Sequence, residues 1–291
     1  MNESAPPESS PVILYLHVPK AAGTTLSDWM FDQVRRGATN TDVANLHAGV
    51  FYYPAGFVVE PSAEERAHAQ RVMAREDLRA VFGHFHFGVH RQLVRPWTYV
   101  TMLRHPVDRV LSLYSFQRLM EHKTGAHHGV RLLEDIDIRA FVADPPYAEV
   151  DNGQTRRIAG AAPSVGRCTS EVLDIAKRNL QRAFAVVGVT ERFDETLILL
   201  CKCFGWSSQL LYYPTNVNTT RSDQSAPDDV VAQIEKTQWL DMALYDHVQK
   251  LMDKQIDRYG PAFTDDLKDF KSRKHAWYET VGKWDMPSRL W

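Results

Sequence analysis

Residues 11–31 read PVILYLHVPKAAGTTLSDWMF. The run from Val12 to Val18 mixes β-branched, aliphatic and aromatic residues with little alternation, the pattern of a strand buried on both faces. It stops at Pro19 and Lys20, crosses a Gly-Thr-Thr turn, and resumes with Leu26, Trp29, Met30 and Val34 at helical spacing. A buried strand does not need a lysine at its end; a phosphate-like ligand does. In a strand–loop–helix unit the backbone N–H groups of the loop and the helix dipole both point at an anion. Lys20 adds a point charge, and Thr24 and Thr25 add hydroxyl donors. The nucleotide-hydrolase loop G-x-x-x-x-G-K-[ST] is absent, because here the lysine precedes the glycine.

The same logic recurs at 98–116, TYVTMLRHPVDRVLSLYSF. A strand ends at Arg104, a proline turns the chain, and a helix follows with Ser112 eight residues beyond the arginine. Pro106 stands at the first helical position, and Val107, Val110, Leu111 and Tyr114 share a face. Open α/β sheets bind ligands at the carboxyl ends of their strands, so Lys20 and Arg104 are expected to face one crevice, with Ser112 within reach of a second anionic group.

Outward from these two units, helices are expected at 24–36, from Pro61 to Met73, at about 136–143, 152–160 and 170–182, and across about 226–258. Further strands are expected in RAVFGHFHFG and in AFAVVGV, and 40–60 reads as irregular. The alternation of strand and helix predicts an α/β fold with a central, mainly parallel sheet flanked by helices, three layers in all and P-loop-like at its start. With 291 residues, one domain spanning 12–260 is expected, preceded by a flexible tail at 1–11. A C-terminal extension, 261–291, is expected to pack on it. Within that extension Trp277, Trp284 and Trp291 belong to a packing or tail segment, with stacking on a sugar as the alternative. The segment EHKTGAHHGV, 121–130, reads as an insertion.

The chain carries 34 Lys and Arg against 36 Asp and Glu, a formal net charge of −2, and this balance argues against nucleic acid or a membrane surface as partner. Any anion site must be made locally. Cys168, Cys201 and Cys203 fit no common zinc or redox spacing and read as reduced thiols. No stretch approaches the ~20 apolar residues of a membrane span. The opening MNESAPPESS lacks the basic start and apolar run of a signal peptide, which leads to the expectation of a cytoplasmic protein.

The paired segments PKAAGTT (19–25) and RHPVDRVLSLYS (104–115) resemble the sulfotransferases that use 3′-phosphoadenosine-5′-phosphosulfate (PAPS). FGHFHFG (82–88), DNGQTRRIAG (151–160) and VVGVTERFDETLILL (186–200) add to the likeness, which covers about residues 12–257 and is similar to the carbohydrate branch, near the heparan sulfate 2-O-sulfotransferases and their bacterial relatives. The resemblance implies that Lys20, Ala22, Gly23, Thr24 and Thr25 line the 5′-phosphosulfate and that Arg104 and Ser112 bind the 3′-phosphate. It also implies that Arg221, in NVNTTRSDQS, belongs to a loop over the adenosine bisphosphate. Two positions depart from the animal 2-O enzymes: His17 stands for an arginine, and Ala21 for a threonine.

Sulfuryl transfer, like phosphoryl transfer, relies on positioning and charge stabilisation. Lys20 suits the leaving phosphate, as a preorganised donor. With Lys20, Arg104 and helix N–H groups supplying positive charge, no metal is expected to be required. An alcohol acceptor must lose a proton, which calls for a base near neutrality and an acidic limb at about 6.5. His84 and His86 would share one side of a strand. By the resemblance His84 is the base, with His86 next; a zinc site from this His-x-His lacks an evident third ligand. Asn152, Gln154, Arg156 and Arg157 suit sugar hydroxyls and a carboxylate or sulfate, so they are expected to bind the acceptor, a glycan, glycolipid or small alcohol. The competing readings are a nucleotide-dependent phosphotransferase, which should show glycine before lysine and a carboxylate for magnesium, and a nucleotide- or glycan-binding protein without turnover.

Overall fold

The computed structural model describes residues 10–36, 46–54, 61–124, 136–213 and 226–281. The first strand, β1 (Val12–Leu16), is buried along its whole length, with Val12, Leu14, Tyr15 and Leu16 fully inaccessible. Each such aliphatic or aromatic side chain contributes about 1.5–3 kcal/mol by leaving water, and this explains the unbroken apolar run. Helix α1 (Gly23–Val34) follows, then the short strands β2 (Leu46–His47) and β3 (Val50–Tyr52). Helix α2 (Ala63–Met73) opens on a capping box in which Ser62 and Glu65 satisfy each other's N–H groups. Strands β4 (Ala80–Gly83) and β5 (Trp97–Leu103) precede helix α3 (Pro106–Thr124), which starts on proline as expected. Helices α4 (Ile138–Ala143), α5 (Gly153–Ala159) and α6 (Ser170–Ala183) lead to β6 (Phe184–Val189) and α7 (Phe193–Phe204).

The sheet runs β2-β3-β4-β1-β5-β6, parallel throughout except for the β2–β3 pair. It is a central, mostly parallel sheet flanked by helices, as the alternating pattern predicts. From β1 the chain moves to one side through β3 and β4, then crosses to the other side through β5 and β6. The crossing puts the carboxyl ends of β4, β1 and β5 side by side at the point where such sheets open a crevice.

Two expectations are corrected. Residues 40–60 were expected to be irregular, yet they supply β2 and β3. RAVFGHFHFG stops being a strand at Gly83, so His84 and His86 lie beyond the sheet. The stretch 226–258 is helical as expected, as two helices, α8 (Asp228–Thr237) and α9 (Trp239–Tyr259). They part at Gln238, whose buried side chain donates to Val150 O at 2.6 Å and accepts from Asn152 N at 3.0 Å. A tertiary anchor, not a proline or glycine, breaks the helix. Beyond Gly260, helix α10 (Ala262–Val281) buries Phe263 and Phe270 against the core, and its Lys274 pairs with Asp194 at 2.5 Å.

Candidate active site

The loop after β1 is wound tightly. Lys20 and Ala22 both hold left-handed backbone angles, φ 64° and 54°, on either side of Ala21. Non-glycine residues enter that region at a cost of about 1–3 kcal/mol each, and such alternation curls backbone N–H groups toward one point. Helix α1 begins directly after it, without a side-chain cap, so its first turn aims the N–H groups of Gly23, Thr24 and Thr25 at the loop mouth. Gly23 is glycine for a definite reason: a Cβ there would stand 1.7 Å from His17 Nε2. Thr25 is buried and Thr24 exposed.

Arg104 meets this loop from β5. Its guanidinium donates to Lys20 O at 3.2 Å. Gln154 holds its main chain on both sides, accepting from Arg104 N at 3.0 Å and donating to Arg104 O at 2.9 Å. The Lys20 ammonium lies 4.0 Å from the Phe116 ring centroid. Partial burial, and then the Arg104 charge, lower Lys20 to about 8. Two cations pressed together in this way are relieved by an anion. Ser112 is half-buried on α3, the helix that Arg104 leads into.

The third contributor comes from β4. His84 Nδ1 lies 2.9 Å from His17 O, and the two imidazole rings are 4.2 Å apart. A carbonyl can only accept, so Nδ1 carries the proton in the neutral ring and Nε2 carries the lone pair. Burial, followed by the Arg157 charge, lowers His84 to about 4. His17 is lowered well below its ordinary range by burial and by His84, Arg157 and Lys20. The near-neutral base expected from the sequence is therefore replaced by an imidazole that stays neutral far into acid. β4 ends at Gly83, so the two histidines do not share a strand face; His84 is half-buried and His86 exposed.

Asn152, Gln154, Arg156 and Arg157 are not surface groups awaiting a sugar. All four are at most 2% exposed. Asn152 Oδ1 accepts from Leu240 N at 3.0 Å and Asp241 N at 3.2 Å, capping α9 from another segment. Arg156 is paired with Asp151 and donates to the carbonyls of Pro163 and Ser164. Arg157 is paired with Glu149 at 2.7 Å and donates to His84 O. All four side chains make hydrogen bonds or ion pairs inside the protein. Arg221, Trp284 and Trp291 lie outside the described residues. Trp277 packs 4.1 Å from the Tyr213 ring rather than standing alone.

The family model for galactose-3-O-sulfotransferase matches residues 1–276. The chain belongs to the galactose-3-O-sulfotransferase family. This places it in the carbohydrate branch through the galactose-3-O enzymes, not the heparan sulfate 2-O enzymes suggested by its motifs. The mouse (Mus musculus), human (Homo sapiens) and bovine (Bos taurus) proteins called galactose-3-O-sulfotransferase 3 are each 25% identical over 280 residues, covering 90% of this chain and 61% of theirs. The chain thus spans about three fifths of the length of these relatives. A solved sulfotransferase from Alicyclobacillus acidocaldarius aligns over 84% of this chain and 96% of its own, at 16% identity and a TM-score of 0.43.

Two residues of this family member escaped the sequence reading. Arg109, within RHPVDRVLS, is fully buried and donates to Pro19 O at 3.1 Å, directly behind Lys20. Glu149 is buried between Arg109 and Arg157. The two guanidiniums hold its carboxyl below the usual carboxylate range although burial pushes the other way. The spacing of the two motif arginines was a signal for Arg109; nothing local marked Glu149. Among the described residues no group of three His, Cys, Asp or Glu is arranged to hold a metal ion, and no helix is long and apolar enough to cross a membrane.

Proposed function

We propose that the protein is a PAPS-dependent carbohydrate sulfotransferase, with His84 as its general base. The observation that carries this is convergence: the Lys20 loop, Arg104 and the His84 imidazole stand at the ends of three adjacent strands, β1, β5 and β4. The residues suit the donor. The left-handed loop and the first turn of α1 suit a 5′-phosphosulfate, with Lys20 at the bridging oxygen, and Arg104 and Ser112 suit a 3′-phosphate.

The donor supplies an activated sulfuryl group on a phosphate leaving group. An acceptor hydroxyl oxygen bonds to sulfur as the bond from sulfur to the phosphate oxygen breaks. His84 Nε2 takes the hydroxyl proton, with Nδ1–H held on His17 O. Lys20 and the N–H groups of α1 stabilise the charge that develops on the leaving phosphate, the role of preorganised donors. The relatives are named for the galactose 3-O position, and a galactoside is the acceptor to try first.

The test is transfer from labelled PAPS to a panel of galactosides, heparan-type oligosaccharides and simple alcohols, beside the binding of adenosine 3′,5′-bisphosphate and of ATP with magnesium. Transfer to a carbohydrate together with preferential bisphosphate binding is the expected result. Absence of transfer, with tighter binding of ATP and magnesium, would overturn it in favour of a phosphotransferase.

A further inference from the structure

We propose that Glu149 is a positioning residue that holds the phosphosulfate loop and the general base in one geometry. The inference rests on the function proposed above and extends it to a residue that touches neither donor nor acceptor. Glu149 belongs to a single 3₁₀ turn, Ala148–Val150, and points into the protein. One carboxylate oxygen takes Arg109; the other takes Arg157 Nε at 2.8 Å. Each guanidinium then reaches a main-chain carbonyl of a different catalytic segment. Arg109 Nε donates to Pro19 O, one residue before Lys20. Arg157 donates to the carbonyl of His84 itself.

The chain of contacts Lys20 loop–Arg109–Glu149–Arg157–His84 therefore joins the two sides of the site. The chain is short and buried, and every link is ionic or a charged hydrogen bond, the kind with the narrowest geometry. Asp241, 3.7 Å from Arg109, brings the acidic groups around the two arginines to two. The surroundings are shaped for the carboxylate. A Cβ at Gly153 would come within 2.7 Å of Glu149 Oε1 and 2.9 Å of Arg109 Nη2, so the start of α5 must be glycine for the cluster to pass beneath it. Gln154, the next residue, fixes the Arg104 main chain, so the same turn of α5 serves the third arm of the site.

Arg157 also fixes the charge that His84 feels: its guanidinium lowers the imidazole and Glu149 opposes it. Removing the carboxylate should thus move the base in space and lower its proton affinity further. A displacement of about 1 Å between reacting groups costs on the order of 10²-fold in rate.

The experiment compares Glu149→Gln, Glu149→Asp and Arg157→Lys with the wild-type protein. Melting and circular dichroism establish folding. Turnover, KM for the donor and bisphosphate affinity are measured, and the His84 ring resonance is titrated by NMR. For folded Glu149→Gln, kcat should fall ~30- to 100-fold while KM for PAPS moves less than ~3-fold, and Glu149→Asp should recover part of the loss. The His84 titration should shift to lower pH. If Glu149→Gln does not fold, Arg157→Lys carries the test, since lysine keeps the charge but cannot span Glu149 and the His84 carbonyl together. Wild-type kcat with an unmoved His84 titration, in either folded variant, would overturn the proposal, because a structural carboxylate would lower only stability. A wild-type protein that shows no transfer would overturn the functional reading alone; the resonance shift would still stand or fall by itself.

Discussion

The His17–His84 pair should make the protein sensitive to acid in a way that one substitution can isolate. His84 is lowered from 6.5 to about 4 by burial and by Arg157. Its folded-state affinity for a proton is thus below its unfolded-state affinity. As pH falls through about 6.5 the unfolded chain takes up a proton that the native state refuses, so stability drops with pH until about 4, where the native imidazole titrates too. Between about pH 7 and pH 5 this one group removes about 2 kcal/mol, and the full shift corresponds to about 3 kcal/mol. His17, depressed in the same direction, adds to the loss.

The measurement is urea unfolding of the wild type and of His84→Gln at the two pH values. Carboxylates and other histidines titrate in both proteins, so the difference of differences isolates the pair. Glutamine can still donate to His17 O, which limits the loss of packing. The wild type should lose about 2 kcal/mol more than the variant on acidification, or somewhat more still, because removing His84 also relieves His17. Loss in parallel, within ~0.5 kcal/mol, would show that His84 is not depressed.

Arg104→Ala should reduce the preference for adenosine 3′,5′-bisphosphate over adenosine 5′-phosphate by about 1.5–3 kcal/mol, read by calorimetry; an undiminished preference would remove Arg104 from the 3′-phosphate site. Gly23→Ala should cost about 1–3 kcal/mol and weaken bisphosphate binding, because the new methyl must displace the His17 ring; an unchanged melting temperature and affinity would contradict the close approach. In the profile of kcat/KM against pH, activity should fall as pH rises through about 8, as Lys20 loses its proton. Lys20→Arg should abolish that alkaline limb, and a limb that persists would belong to another group.

The parts of the site that were legible in the sequence are those whose chemistry is local. Lys20 and Arg104 end apolar runs that have no structural use for a cation, and the glycine and proline beside them mark where each chain turns. The supporting parts are held by contacts remote in sequence. Glu149 follows an unremarkable Tyr-Ala, and its partners Arg109 and Arg157 lie 40 residues before it and 8 after it. In Asn152–Arg157 the residue types suited a sugar and equally suited an internal network. Composition could not separate the two; the structure adds that these side chains are buried. The His-x-His alternation mimicked a strand, but β4 ends at Gly83, where the chain must bend to bring His84 to the His17 carbonyl. The break at Gln238 has no glycine or proline to announce it, since the helix is interrupted by a side chain anchored to Val150 and Asn152.

The depressed groups of this site have one electrostatic consequence when considered together. Lys20 is lowered in part by Arg104, and His84 and His17 are lowered in part by Arg157 and Lys20. All of these are repulsions among positive charges in a partly desolvated crevice, and an anion seated between them opposes every one. Donor binding would then raise Lys20 toward full protonation, where it can stabilise a leaving phosphate, and would raise His84 from about 4 toward a more useful basicity. Before the donor arrives the imidazole is neutral but a weak base, poorly suited to deprotonating a hydroxyl. The doubly anionic phosphosulfate end would strengthen the base and the leaving-group cation together, and loss of the product from the loop would weaken both. On the proposed mechanism, proton abstraction would then be tied to a loaded site through charge.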